Sequence, residues 1–292
     1  MSLAYLELLD ATIVHLEQLK ARGVRHLPVQ EDTLQSLGRP LPRAAEPAGA
    51  SPSSRPGSAR PAQAQPQAAR KPSKPVRLRT PTNLAENDPR RVAMQELLSE
   101  VMPCMKCGNL AKSRRNVVFG VGDITSPLMF VGEAPGMDED IKGEPFVGRA
   151  GQLLTKIIET MGYGRDTVYI ANILKCRPDT PDQRYGNRKP TPEEMETCKP
   201  YLLKQIEIIK PKVIVALGVT AVQGLLGVSD GINRLRGNWH EFNGIPVMPT
   251  FHPSYLLRYG DKPTKRKVWE DMLLVMEKLG NPITEKQRGF FK

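Results

Sequence analysis

Apolar residues follow two periodicities along the chain, separated by a stretch that has neither. In residues 1–22, Leu6, Leu9, Ile13, Leu16 and Leu19 recur at near-helical spacing with Glu7, Asp10, Glu17 and Lys20 between them, which predicts one amphipathic helix in an N-terminal segment 1–39. From Pro40 to Pro89 the chain is Pro, Ala, Ser, Gln and Arg with almost no large apolar side chain. Such a segment cannot offset its ordering entropy, and a disordered linker 40–89 is expected. Beyond it, helical spacing returns at 90–101, 149–162, 191–210 and 264–279. Short apolar runs lie between these helices, at Val117–Phe119, Leu128–Val131, Val168–Ile173, Val213–Leu217 and Pro246–Thr250. Strands alternating with helices predict an α/β domain over 90–292, with three α/β/α layers and a mainly parallel central sheet of about four strands.

Composition adds a partner to this outline. The 292 residues carry a formal charge of +11, which favours a polyanion, nucleic acid before membrane. As far as Arg79, Arg and Lys in the linker face a single acid, Glu46, so residues 1–89 are read as a DNA tether or a docking segment for a protein partner. No apolar run is long enough to span a bilayer, and Glu7 and Asp10 interrupt the first apolar stretch in a way a signal peptide would not. A cytoplasmic location is expected.

Candidate chemistry gathers in FVGEAPGMDEDIKGEPFVGRAG, residues 130–151. A buried strand ends there in Gly132, Pro135 and Gly136, which turn the backbone at the edge where open α/β sheets bind ligands. Glu133, Asp138, Glu139, Asp140 and the apolar Phe146 share that loop. The four cysteines are Cys104 and Cys107, in a C-x2-C pair, with Cys176 and Cys198. Four thiols including a close pair point to a metal centre, and their spacing alone suits either tetrahedral zinc or a [4Fe-4S] cluster.

GEAPG-x2-ED, PFVGRAG, ANILKCRP, NRKPTPEE and TFHPSYLLR stand in one order over about residues 90–280. Together they resemble the family 4 uracil-DNA glycosylases, the iron-sulfur branch of the uracil-DNA glycosylase superfamily. The resemblance implies an enzyme of base-excision repair that flips uracil out of DNA and hydrolyses its N-glycosidic bond. It implies no lyase step. It also implies a [4Fe-4S] cluster on the four cysteines.

By the same resemblance Gly132, Ala134, Phe146 and Asn172 bind the flipped base. Phe146 would stack on uracil, and the Asn172 amide would donate to O4 and accept from N3–H, a pattern cytosine reverses. His252 would hydrogen-bond O2 as charge builds there, and Glu133 would orient water or stabilise the sugar cation. Ser254, Leu256 and Arg258 would contact DNA, with an apolar side chain of Tyr255–Leu257 as a wedge and at least one leucine in the core. Ala134 stands where other branches carry an acidic water-activating residue, and Gly136 where they carry a thymine-excluding tyrosine, which leaves Glu139 as a candidate for that exclusion. DTPDQRYG, between Cys176 and Cys198, lengthens the family's usual interval and is expected to bulge as a surface loop. A cluster-bearing sensor without activity, a cross-linking relative and a zinc hydrolase are the alternatives. The intact GEAPG and a loop lacking His argue against the cross-linking one.

Overall fold

A computed structural model describes residues 84–179 and 187–292. The N-terminal helix, most of the linker and nearly all of the DTPDQRYG insertion therefore lie outside the described residues.

Helix α1 (Pro89–Val101) starts at Asp88, whose carboxylate accepts from the Arg90 amide, and is followed by the short α2 (Gly108–Ser113). The sheet opens with β1 (Val121–Gly122) and the fully buried β2 (Leu128–Gly132). Helices α3 (Met137–Lys142) and α4 (Arg149–Thr160) lead to β3 (Tyr169–Asn172). Next come α5 (Pro192–Ile209), β4 (Val213–Leu217), α6 (Val219–Leu226) and α7 (Ile232–Leu235). A hairpin of β5 (His240–Phe242) and β6 (Ile245–Thr250) precedes α8 (Pro253–Tyr259), α9 (Lys262–Lys278) and α10 (Glu285–Arg288).

The six strands lie in the order β1-β3-β2-β4-β6-β5, parallel from β3 through β6 and antiparallel at both edges. Side chains of the central strands alternate between two apolar layers, as strand geometry requires. Met129, Val131, Ile214 and Ala216 pack against α1, α5 and α6 on one face. Leu128, Phe130, Val213 and Val215 pack against α4 and α9 on the other. With both faces covered, β2 and β4 must be apolar at every position, and they are.

The expected three-layer architecture is present, with two edge strands beyond the four anticipated. The apolar run Val117–Phe119 is buried but forms no strand. Only Val118 bonds across to Lys175, and pairing begins after Gly120, whose φ of 142° suits glycine and little else. The β5–β6 hairpin carries a signal that the reading by apolar runs passes over. Its turn is Asn243-Gly244, both at positive φ, the two-residue turn that matches strand twist.

Candidate functional site

The parallel strands leave their carboxyl ends at one edge, and the chain reverses its winding between β2, which is followed by β3 on one side, and β4 on the other. A crevice of about 600 Å³ opens there, with Glu133, Phe146, Asn172, Leu217, Gly218 and His252 on its walls.

Register places Gly132 of β2 beside Asn172 of β3. A Cβ at Gly132 would stand 2.4 Å from Asn172 Oδ1 and 2.5 Å from Phe146 Cζ. Only glycine leaves room for those two side chains to close over the strand end, so Gly132 shapes the crevice from beneath. Asn172 is 2% exposed, and its Oδ1 is a buried polar atom with no hydrogen-bond partner among the described residues. An orphaned acceptor in a crevice wall is an unmet interaction, and a ligand N–H would complete it. The Asn172 carbonyl is fixed from behind by Lys175, a fully buried lysine whose Nζ donates to it and to Gln205 Oε1. Burial pulls the Lys175 pKa down to about 8.

Phe146 sits at φ 53°, a strained conformation for a non-glycine residue. Two groups hold it there. The Glu139 carboxylate accepts from the amides of Gly136, Val147 and Gly148, and the Arg165 guanidinium donates to the carbonyls of Pro145 and Phe146. Glu139 is thus a brace of the loop, its oxygens taken up by three backbone donors. The Phe146 ring belongs to the apolar layer against α4 and also forms part of the crevice wall, its centroid 5.6 Å from that of His252.

His252 caps α8. Its Nδ1 accepts from the Ser254 amide at 3.1 Å and lies 2.7 Å from Ser254 Oγ, so in the neutral ring the proton sits on Nε2. Desolvation, helped by the Arg258 charge, lowers its pKa to about 4. The crevice therefore holds a neutral imidazole with one N–H to donate. The loop carrying it is tied to the core through Thr250, whose hydroxyl donates to the buried Asp271 carboxylate, itself paired with Arg236.

Glu133 and Ala134 line the crevice at the end of β2. Ser254 and Arg258 line it from α8, with Ser254 committed to His252 and Arg258 bonded to the Ser254 carbonyl. Leu256 is corrected as a DNA wedge. It is 6% exposed and packs with Phe251 and Val268, whereas Leu257 is 44% exposed. In an α-helix that packs one side, neighbours one residue apart point in different directions, and burial picks between them.

Pro178, Asn187, Arg188 and Lys189 join the wall on the side where the undescribed insertion leaves and re-enters. Its stems meet in an antiparallel bridge between Asp179 and Asn187. Spacing offered no reason to place these residues at the crevice.

The cysteines lie on the face of the sheet that carries α1 and α5. Cys176 and Cys198 are buried in that core, and Cys104 and Cys107 pack against it half-buried. Arg114 donates to Cys176 Sγ and to the Cys104 carbonyl, and the Lys175 amide donates to Cys198 Sγ. Burial raises the thiol pKa of Cys107, Cys176 and Cys198, the last to about 11, while Arg114 opposes the rise at Cys176 and Lys175 at Cys198. Neighbouring cysteine charge adds to the rise at Cys107, Cys176 and Cys198, yet among the described residues no three metal-binding side chains converge closely enough to enclose a single ion.

The chain is similar in sequence to known proteins. Residues 119–273, just over half of the chain, match the family model of the uracil DNA glycosylase superfamily. The type-4 uracil-DNA glycosylase of Thermotoga maritima is 48% identical over 185 residues, which cover 62% of this chain and 93% of that one. The type-4 uracil-DNA glycosylase of Archaeoglobus fulgidus is 41% identical over 207 residues, covering 68% and 98%. That of Saccharolobus solfataricus is 40% identical over 198 residues, covering 64% and 88%.

Proposed function

Because the chain belongs to the uracil DNA glycosylase superfamily, we propose that its crevice is the uracil pocket of a type-4-like enzyme whose working groups are Phe146, Asn172, His252 and Glu133. The protein is a DNA N-glycosylase that excises uracil in DNA repair, hydrolysing the glycosidic bond and leaving an abasic site. The observation that carries the assignment of the pocket is the orphaned Asn172 Oδ1.

Uracil presents N3–H, a donor, between two carbonyl acceptors. Entering the crevice, it completes Asn172 Oδ1 with N3–H and takes the amide N–H at O4. Cytosine brings an acceptor at N3 and a donor at C4, which leaves buried groups unsatisfied, and that is the costly form of mismatch. Phe146 covers one face of the base, held in its strained backbone by Glu139 and Arg165 before any ligand arrives.

As the glycosidic bond breaks, negative charge moves onto the base and the sugar becomes cationic. The Nε2–H of His252 is the donor for O2. A neutral ring suits the task because it is present in that form throughout the physiological range, and in a dry crevice the bond strengthens as charge develops. Glu133, at the carboxyl end of β2, offsets the sugar cation and orients the attacking water, since Ala134 brings no acid.

The cysteine donor set fits a [4Fe-4S] cluster. All four donors are thiols, two sulfurs already receive N–H bonds of the kind that surrounds iron-sulfur centres, and Cys104, Cys107, Cys176 and Cys198 would hold the cluster. When bound, the cluster supplies a cross-link between the α1–α2 junction, the end of β3 and α5. Residues 1–89 are assigned to DNA tethering or to a protein partner on their charge alone.

Incubation of anaerobically purified protein with a uracil-containing oligonucleotide, with free uracil measured, tests the reading. Release by the wild type and strong loss in Asn172→Ala and His252→Ala are expected. Full activity in both variants would place the pocket elsewhere. Strand cleavage without added base would overturn the monofunctional assignment.

A further inference from the structure

We propose that Tyr255 and Tyr259 form a stacking platform for the base that neighbours the extruded uridine in single-stranded DNA, an inference that rests on the uracil-excision reading. Phe251, just before α8, Tyr255 within it and Tyr259 at its end follow one another at four-residue steps. The Phe251 and Tyr255 rings are stacked with centroids 4.9 Å apart and planes at 18°, and Tyr255 and Tyr259 follow at 5.1 Å and 47°. Exposure rises outward along this row. Phe251 is buried, Tyr255 is 38% exposed and Tyr259 is 62% exposed. Phe251 and Tyr255 are also part of the crevice wall, so the row starts at the pocket and leads out of it.

Charge along the row suits a phosphate backbone. Arg258 is exposed beside the two tyrosines, bonded to Ser254 within its own helix. Lys262 and Lys265 are exposed at the start of α9, immediately after the row. The nearby acid, Asp261, accepts from the Thr264 amide as the helix cap. On the opposite rim Lys189 is exposed. A strand that delivers one nucleotide to the crevice carries the next base across its mouth. In a duplex that base stays stacked on its own neighbours, whereas in a single strand it needs a new surface, and an exposed π-face flanked by cations provides one without reading sequence.

The test has two arms. In the first, uracil release is followed on single-stranded and duplex oligonucleotides of the same sequence. Tyr259→Ala is expected to raise KM on the single strand roughly tenfold, the scale of losing one base–aromatic stack, with kcat retained and the duplex little affected. Tyr259→Phe should restore the wild-type values, because the π-face and not the hydroxyl is the working part. Equal effects on both substrates, or none on either, would overturn the platform. In the second arm, a single strand carrying 5-iododeoxycytidine beside a non-hydrolysable uridine C-nucleoside is irradiated with the full-length protein and the cross-linked peptide is sequenced. Cross-linking at Tyr255 or Tyr259 that disappears in the duplex supports the proposal, and cross-linking confined to other positions rejects it. Because this arm needs no base release, cross-linking at Tyr259 in a protein that frees no uracil would keep the platform and sink the glycosylase reading. Uracil release without either effect would do the opposite.

Discussion

The crevice and the cysteine region share the end of β3, since Asn172 faces one and Cys176, four residues on, belongs to the other, but they are built on opposite principles. The crevice is complete as protein. Gly132 makes the space, Glu139 and Arg165 hold Phe146, and Ser254 sets the His252 tautomer, so that the Asn172 acceptor and the His252 N–H stand ready for a ligand. The cysteine region is the reverse, with four soft donors, at three of which, Cys107, Cys176 and Cys198, burial favours the protonated, uncharged thiol. Preorganisation of the first kind suits developing charge, whereas buried thiols of the second kind suit a metal centre that displaces their protons and ties separate elements together. Lys175 connects the two, with Nζ on the Asn172 carbonyl and its amide on Cys198.

That contrast predicts a separation of effects. The largest belongs to Asn172→Ala, expected to lower kcat/KM for uracil by roughly a thousandfold, because base recognition loses its only complementary pair. Its melting temperature should stay near that of the wild type, since the lost Oδ1 has no partner among the described residues. A large drop in stability would mean that Asn172 is structural. Next, His252→Ala should reduce kcat by about 10²–10³, the scale of removing one donor to a developing oxyanion.

Cys198→Ser sharpens the comparison from the other side. It should remove iron, sulfide and the broad visible absorption and lower the melting temperature, while protein that remains folded keeps its kcat. Loss of kcat at unchanged stability would contradict a cross-linking role. Glu139→Gln weakens three charge-assisted bonds to the Phe146 loop, and a fall in kcat/KM of about tenfold is expected, with stacking geometry loosened and the cluster spectrum intact.

The smallest effect is a matter of pH. A histidine held at a pKa of about 4 remains neutral in the fold while the unfolded chain takes up its proton near 6.5. The stability contributed by the neutral ring is therefore full above about pH 6.5 and declines as pH falls toward 4, with no His252 inflection in kcat near neutrality. An NMR titration of His252 gives the number directly, and a midpoint near 6.5 would show the ring to be wet.

Some of this was legible because it depends on local order along the chain. β2 and β4 are apolar at every position, and the start of α5 is marked locally by Thr191 and Glu194, which form a capping box, with Pro192 in the first turn. The order of motifs carrying Glu133, Phe146, Asn172 and His252 indicated one pocket before any coordinate placed them there. Other parts were not legible, for separate reasons. Val117–Phe119 has the composition of a strand, but Gly120 and Gly122 adopt backbone conformations that delay pairing to Val121. Glu139 lines the crevice and also braces its own loop through three backbone amides, a role that its place in the sequence does not reveal.

By itself the sequence determined the layers, the strands of the parallel core and the chemical types brought to the ligand edge, because periodicity and turn chemistry act over a few residues. Only tertiary structure decided which of Leu256 and Leu257 faces water, which acid braces a loop, that Arg165 and Lys175 hold the backbone of Phe146 and Asn172, and that the residues flanking the insertion line the crevice. Those outcomes depend on distances between segments far apart in the chain, and no local pattern encodes them.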